Sequence, residues 1–361
     1  MALFYASDPN NGAQMKPLED FDASAPRLSD AEVLRLLRTE YGLDGQLRPL
    51  LSERDQNFRL TASDGQNYVV KIAGAAEDQK AADFQILGLL HLEARECEAT
   101  VPKIRRTRGG ASSTTILHGQ TRHVVRLVSY LPGRLLAEVP PTPLLMHSLG
   151  RSLAYLDIAL GDFECDGGQQ TLLWDMQRAA ELLPLATHIP DGALRQVVLA
   201  CFDDFQQVAE PQFAALRNQV IHNDVNPGNV LVEEENSASV AGFIDFGDML
   251  RAPLVVELAI AASYLRCDGA DALAYIAAFI AAYDRISPLE DVEIDLLYYL
   301  LRTRLATTLT MLYWRLAVKG KDDGYAQESL HSESGAEHFL ARINALMPQA
   351  FSDRLRQECG R

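Results

Sequence analysis

Several things are scarce or missing. No apolar run is long enough to cross a bilayer: the longest nearly unbroken stretch, Ala272 to Tyr283, falls well short of the roughly 18 residues needed, so no membrane partner is expected. The N-terminus lacks a basic segment followed by an apolar core, and no secretory signal is visible. Cysteine is sparse, five residues with no C-x-x-C pair, which suits buried thiols in the reducing cytoplasm rather than disulfides or zinc. Basic residues are in deficit, 33 Lys and Arg against 49 Asp and Glu. Binding to a nucleic-acid backbone needs a basic patch, so that partner class is not expected; a net charge of −16 leans toward a cationic small molecule. Repeats, low-complexity tracts and a G-x-G-x-x-G phosphate loop are all absent.

What is present is an ordinary globular composition, 48% hydrophobic and 23% charged, over 361 residues, enough for two lobes. The stretch that organises it is IHNDVNPGNVLVEEENSASVAGFIDFGDM, starting at Ile221. Two apolar strands, Asn229 to Val232 and Val240 to Phe246, flank a polar turn. A hairpin brings its ends together, so Asp224, Asn229 and Asp245 can converge at one mouth. Phosphoryl transfer wants this set. The protein must orient a hydroxyl, hold divalent metal and neutralise charge. An aspartate in a loop accepts the proton of the attacking hydroxyl, while an Asn amide oxygen and a second carboxylate are hard ligands for Mg²⁺. The spacing H-x-D-x-x-x-x-N, followed by D-F-G after an apolar strand, matches the catalytic and metal-binding loops of kinase-fold enzymes. Either piece alone is commonly a surface turn; the two in order, one hairpin apart, carry the reading.

With IHNDVNPGNVLV, GFIDFGDM, the upstream SERDQNF and the LLWDM run, the chain resembles the aminoglycoside phosphotransferase and choline kinase superfamily from about Ser29 onward, and within it the hydroxylysine kinase group. The resemblance implies an α+β, two-lobe protein-kinase-like fold: a small antiparallel-sheet N-lobe and a mainly helical C-lobe with a helical insert that walls the acceptor pocket. The expected divisions are a loose arm over 1–25, an N-lobe over 26–131 and a C-lobe over 132–361. The implied reaction moves the γ-phosphoryl of ATP or GTP to a small hydroxylated amine or amino acid, with Mg²⁺ as cofactor. Asp224 is the expected base, Asn229 and Asp245 the metal ligands, and His222 a brace for the catalytic loop. Other acceptors of the superfamily (an aminoglycoside, homoserine, choline, a sugar) and a pseudokinase that binds nucleotide without turnover stay open.

Ser29 and Glu32 form a capping box for a helix that stops near Gly42. Leu47 to Leu51, Asn57 to Thr61 and Tyr68 to Ala73 read as strands. Ser52 to Asn57 lies where kinases put their phosphate-covering loop, and Ser52 and Asn57 are candidate contacts beside the reading of an ordinary polar hairpin. Lys71 sits in the apolar strand YVVKI; it is the candidate for the nucleotide phosphates, weighed against an edge lysine facing water. Its carboxylate partner is expected on the helix running from Glu77 to about Ala94. Asp83 occupies the position where the family usually has Glu, with Glu77 as rival. Val128 to Gly133 is read as the hinge, where Tyr130 and Leu131 would meet a purine edge without choosing ATP or GTP.

Helices are expected over Pro143 to Leu160, Leu172 to Leu183, Asp191 to Ala209, Ala270 to Tyr283, Leu289 to Val318 and Ser332 to Met347. Trp174 is either core or pocket wall. Asp175, through the resemblance, is a candidate for a substrate ammonium. Asp248 touches metal or substrate, or caps a turn. Glu257 stands where many relatives carry Asp and is expected to brace the catalytic loop. Arg302 and Arg304 are unusual charges on a long apolar helix. Each is read as a snorkelling surface arginine or as a partner for an acceptor carboxylate.

Overall fold

The computed structural model describes residues 25–361 except 53, 76, 78, 166–171, 173, 321–332 and 334. The arm expected over 1–25 therefore lies, up to residue 24, outside the described residues. Helix α1 (Asp30–Leu36) opens on the Ser29–Glu32 capping box and widens into a π turn over Leu37–Tyr41. Gly42 ends it at φ 68°, a conformation that costs a residue with a Cβ. Strands β1 (Gly45–Leu50), β2 (Gln56–Ala62) and β3 (Asn67–Ile72) follow, then helix α2 (Gln79–Ala94), then β4 (Thr114–His118) and β5 (Thr121–Ser129). The five strands form one antiparallel sheet in the order β1-β2-β3-β5-β4.

One sheet face carries Phe58, Leu60, Val70, Ile72, Val125 and Leu127, closed by Leu28, Val33, Leu37 and Tyr41 from α1 and its flanks. In β3 the alternation is strict. Tyr68, Val70 and Ile72 are buried in that core, and Lys71 leaves on the opposite face. Helix α2 belongs to the other body: Phe84, Leu89 and Leu92 pack into the large helical core.

The remainder runs through β6 (Arg134–Leu135), α3 (Pro143–Leu160), a 3₁₀ segment over Met176–His188, α4 (Gly192–Asp204), β7 (Asn218–Ile221), β8 (Val230–Val232), β9 (Val240–Phe243) and β10 (Leu250–Pro253). Helices α5 (Leu254–Ala262), α6 (Ala274–Asp284), α7 (Asp291–Lys319), α8 (Ala336–Asn344) and α9 (Pro348–Cys359) complete the chain. Helices α3 and α6 cross closely because Gly150 has no side chain; a Cβ there would lie 2.1 Å from the Phe279 carbonyl oxygen. Among the described residues no helix is long and apolar enough to cross a membrane.

Two expectations need correction, and two elements had not been expected. The helix read over Leu172 to Leu183 is 3₁₀ and starts only at Met176, with Pro184 inside it removing one ladder donor. The second strand of the central hairpin ends at Phe243, because Asp245 turns into the left-handed region at φ 59°. A second small pairing, β7 with β10, brackets the hairpin and had no separate signal in four-residue apolar runs. Helix α9, opened by Pro348 at its first turn, was not foreseen at all.

Candidate active site

The β8–β9 hairpin is antiparallel, with Val230 opposite Phe243, and its two flanking loops lie side by side. His222 ties them together. Its Nε2 faces the Ile244 carbonyl oxygen at 3.0 Å and its Nδ1 accepts from the Asp224 backbone N–H at 3.2 Å, which assigns the proton to Nε2. The ring is fully buried and packs edge-on to Phe246 at 4.6 Å; burial pushes its pKa down and keeps it neutral. Asn223 between them is held at φ 65°, a left-handed conformation. Both carboxylate oxygens of Glu257 accept from the Asn223 backbone N–H, at 3.2 and 3.0 Å, and the backbone at His222 adds to this. Glu257 is wholly buried, and burial raises its pKa to about 7 against the pull of these donors.

Asp224 accepts from the Asn226 side chain at 2.9 Å and from Asn229 Nδ2 at 2.6 Å. The same Asn229 Nδ2 donates to the Asp224 carbonyl at 3.0 Å. The NH₂ of Asn229 is thus committed to the catalytic loop, and its Oδ1 is the end left to meet a cation. Burial, then the Asp248 carboxylate, pushes the Asp224 carboxyl up to about 8. Asp245 accepts from Lys71 Nζ at 2.6 Å and from the Gly247 backbone N–H at 3.2 Å. Lys71 beside it holds the Asp245 carboxyl well below the usual range. Lys71 and Asp245 come from loci 174 positions apart, and the sheet-to-hairpin packing joins them.

The helix carboxylate goes elsewhere. Asp83 is exposed and accepts from Gln79 at 2.8 Å; it does not reach Lys71. Glu77 pairs at 2.7 Å with Arg126, a residue sequence reasoning passed over. Arg126 stands directly opposite Lys71 in the β3–β5 register, is buried, and is also bonded to Gln85. The available signal was a lone cation in the apolar run HVVRLV. Two cations face each other there, and each takes a different acid.

Of the remaining candidates, Ser52 accepts from the Asp55 N–H at 3.2 Å within its own loop, and Asn57 is buried opposite Lys71 in the β2–β3 register. The next residue but one after Ser52 does more: Arg54 crosses from the loop between β1 and β2 to bond Asp248, three residues after Asp245. Tyr130 donates its backbone N–H to the Asn67 carbonyl at 3.1 Å, so that N–H is spent inside the sheet rather than on a purine; its ring stacks under Arg59 at 4.2 Å. Leu131 follows, half-buried. Asp175 caps the 3₁₀ segment by accepting from the Gln177 N–H at 2.9 Å. Trp174 lies half-buried with the Arg304 guanidinium over its ring at 5.0 Å. The snorkelling reading fails for both arginines of α7: Arg302 and Arg304 are 7% and 2% exposed.

The oxygen set fits a hard cation. The Ile244 N–H donates to the Asn229 carbonyl at 2.9 Å, which sets Asn229 beside the residue preceding Asp245, and among the described residues no cage of three or more acidic, His or Cys side chains could hold a metal alone. Two protein ligands completed by phosphate oxygens and water is the arrangement Mg²⁺ accepts.

The phosphotransferase enzyme family matches residues 46–289, well over half of the chain. The chain belongs to that family. It is a small-molecule phosphotransferase with a hydroxyl acceptor, on a kinase-like two-lobe fold. Hydroxylysine kinase of Danio rerio is 25% identical over 332 residues, covering 89% of this chain and 92% of the relative. Among solved structures, a microcompartment-associated aminopropanol kinase superposes with a TM-score of 0.68 at 17% identity, covering 88% of this chain and 98% of the other. An amicoumacin kinase in complex with AMP-PNP, Ca²⁺ and its antibiotic superposes at 0.65 and 17% identity, covering 86% and 94%.

This phosphotransferase yields one pH prediction. Asp248→Asn removes a negative charge that disfavours ionised Asp224, so Asp224 should lose its proton at lower pH. The acidic limb of kcat/KM, measured with nucleotide varied, is expected to move down the pH scale in the variant; no movement would show that Asp248 does not act on the base.

Proposed function

We propose that the chain transfers the γ-phosphoryl of ATP or GTP to a hydroxyl of a small amine-bearing acceptor, a hydroxylated amino acid such as hydroxylysine. What supports this is the pairing of Lys71 with Asp245 and of Asn229 with Asp224 at the ends of one hairpin, on a chain similar over most of its length to hydroxylysine kinases. Asp224 orients the acceptor hydroxyl and takes its proton as the oxygen attacks phosphorus. His222, Asn226 and Asn229 keep that carboxylate in place. Asn229 and Asp245 would hold Mg²⁺, which supplies charge neutralisation to the β- and γ-phosphates when bound. Lys71 then exchanges its contact with Asp245 for phosphate oxygens.

The five cysteines are free, and with them we assign the chain to a reducing compartment, the cytoplasm. A panel decides the acceptor. Mg²⁺-dependent release of ADP or GDP is expected with hydroxylysine and related amino-acid alcohols, above the rate without acceptor. Release with aminoglycosides or choline but not with amino acids would overturn the assignment.

A further inference from the structure

Helix α7 carries two buried arginines with opposite circumstances. Arg302 is satisfied: it bonds Asp204 and Asn344 and stacks on Tyr298 at 4.9 Å. Arg304, two residues on, has one neutral partner, the Tyr264 hydroxyl, at 3.3 Å. Its Nε and Nη1 find no acceptor among the described residues, and neither does the hydroxyl of Thr307 one turn further along the same face. A buried guanidinium with idle N–H groups is costly, and such a group calls for an acceptor.

Its surroundings say where that acceptor comes from. Arg304 is near enough to Asp224 for each charge to influence the other, which ties it to the Asp224 site, and Glu333, paired with Arg266, adds to the negative field at Arg304. No hydrogen bond joins the two: Asp224 accepts from Asn226 and Asn229, and Arg304 Nε and Nη1 reach no acceptor among the described residues. The Trp174 ring covers the guanidinium on one side and Tyr264 bounds it on another. Among the described residues this leaves a buried guanidinium on the Asp224 side of the helix with two donor atoms that no protein oxygen accepts from.

We infer that Arg304, supported by Tyr264 and Thr307, is the subsite for the carboxylate of the acceptor, and that this residue makes the enzyme select hydroxylated amino acids over amino-alcohols. The inference rests on the functional reading above and deepens it. A carboxylate brings both the charge and the oxygen lone pairs that the idle donors lack, and arginine suits it because its planar fork matches carboxylate geometry.

Binding and turnover test the two readings separately. Calorimetric titration, with Mg²⁺ and AMP-PNP present, compares 5-hydroxylysine with 1,5-diaminopentan-2-ol, and homoserine with 3-aminopropan-1-ol; each pair differs only by the carboxylate. The wild-type chain is expected to bind the carboxylated member of at least one pair more tightly by roughly 10- to 100-fold, the range for a hydrogen bond to a charged group. Arg304→Met should abolish that preference by weakening only the carboxylated member, and Arg304→Lys should recover part of it. Equal wild-type affinity within both pairs, no binding of either acid, or equal weakening of both members in the variants would overturn the subsite. The last outcome would mark Arg304 as structural. If Arg304→Met does not fold, the wild-type pairs and Arg304→Lys decide. Nucleotide turnover run alongside speaks to the reaction alone: absence of release with every acceptor defeats the proposed function, whatever the binding preference shows about Arg304.

Discussion

Replacing Asp224 with Asn is expected to lower kcat by about 10³-fold while nucleotide binding stays within a few-fold, since a positioned base supplies roughly 10²- to 10⁴-fold. The side chain keeps its size, so Asn226 and Asn229 keep a neighbour, but the group that takes the proton is gone. The Asp224 carboxylate is also the anchor for Asn229, whose NH₂ it receives at 2.6 Å. An amide at 224 offers one acceptor oxygen where the carboxylate offers two, so Asn229 loses some of its hold and the metal mouth loosens slightly. Calorimetry with AMP-PNP and Mg²⁺, set beside single-turnover phosphoryl transfer, separates these effects. A variant retaining more than about a tenth of wild-type turnover would remove Asp224 as the base, because the remaining rate would then exceed what general-base loss permits.

Glu257→Leu is expected to cost about 2–6 kcal/mol of stability, on the rule that each of two buried donors left unpaired costs roughly 1–3 kcal/mol. The donors in question are the backbone N–H groups of Asn223 and His222, which lose their only carboxylate. They belong to a loop that holds Asn223 at φ 65°, a conformation that persists only where its surroundings enforce it. Leucine restores the apolar volume but offers no acceptor. Once released, the loop carries His222 and Asp224 away from Ile244 and Asn229, so kcat should fall with stability, by about 10²-fold for a displacement near 1 Å. Thermal or denaturant unfolding and turnover are the measurements. Glu257→Gln, which keeps one oxygen acceptor, should lie between the two. Unchanged unfolding in Glu257→Leu would mean that Glu257 does not brace the loop.

Much of this was legible along the chain because it depends on short range. Capping by Ser29 and Glu32 lies within one helical turn, and the apolar alternation of YVVKI turns Lys71 away from the core whatever surrounds it. The closeness of the loops carrying Asp224, Asn229 and Asp245 was legible for the same reason: they flank a single hairpin, so their approach depends on local strand pairing. Family membership followed from that unit together with its flanks.

Partner choice across the fold was not legible. Lys71, Arg126, Glu77 and Asp83 are all visible as charges, but which acid meets which base depends on the β3–β5 register and on how α2 lies against the sheet; the outcome gives Glu77 to Arg126 and Asp245 to Lys71. Arg302 and Arg304 look alike in sequence, two residues apart on one helix. Only the packing of α4, α8 and the Trp174 turn around α7 satisfies one and leaves the other with idle donors. By itself the sequence determined most of the elements and the hairpin that carries Asp224, Asn229 and Asp245, since helical and strand periodicity and hairpin closure act over a few residues. Tertiary structure alone decided which charges are neutralised and which remain to greet a ligand, because burial and long-range pairing are properties of the assembled chain.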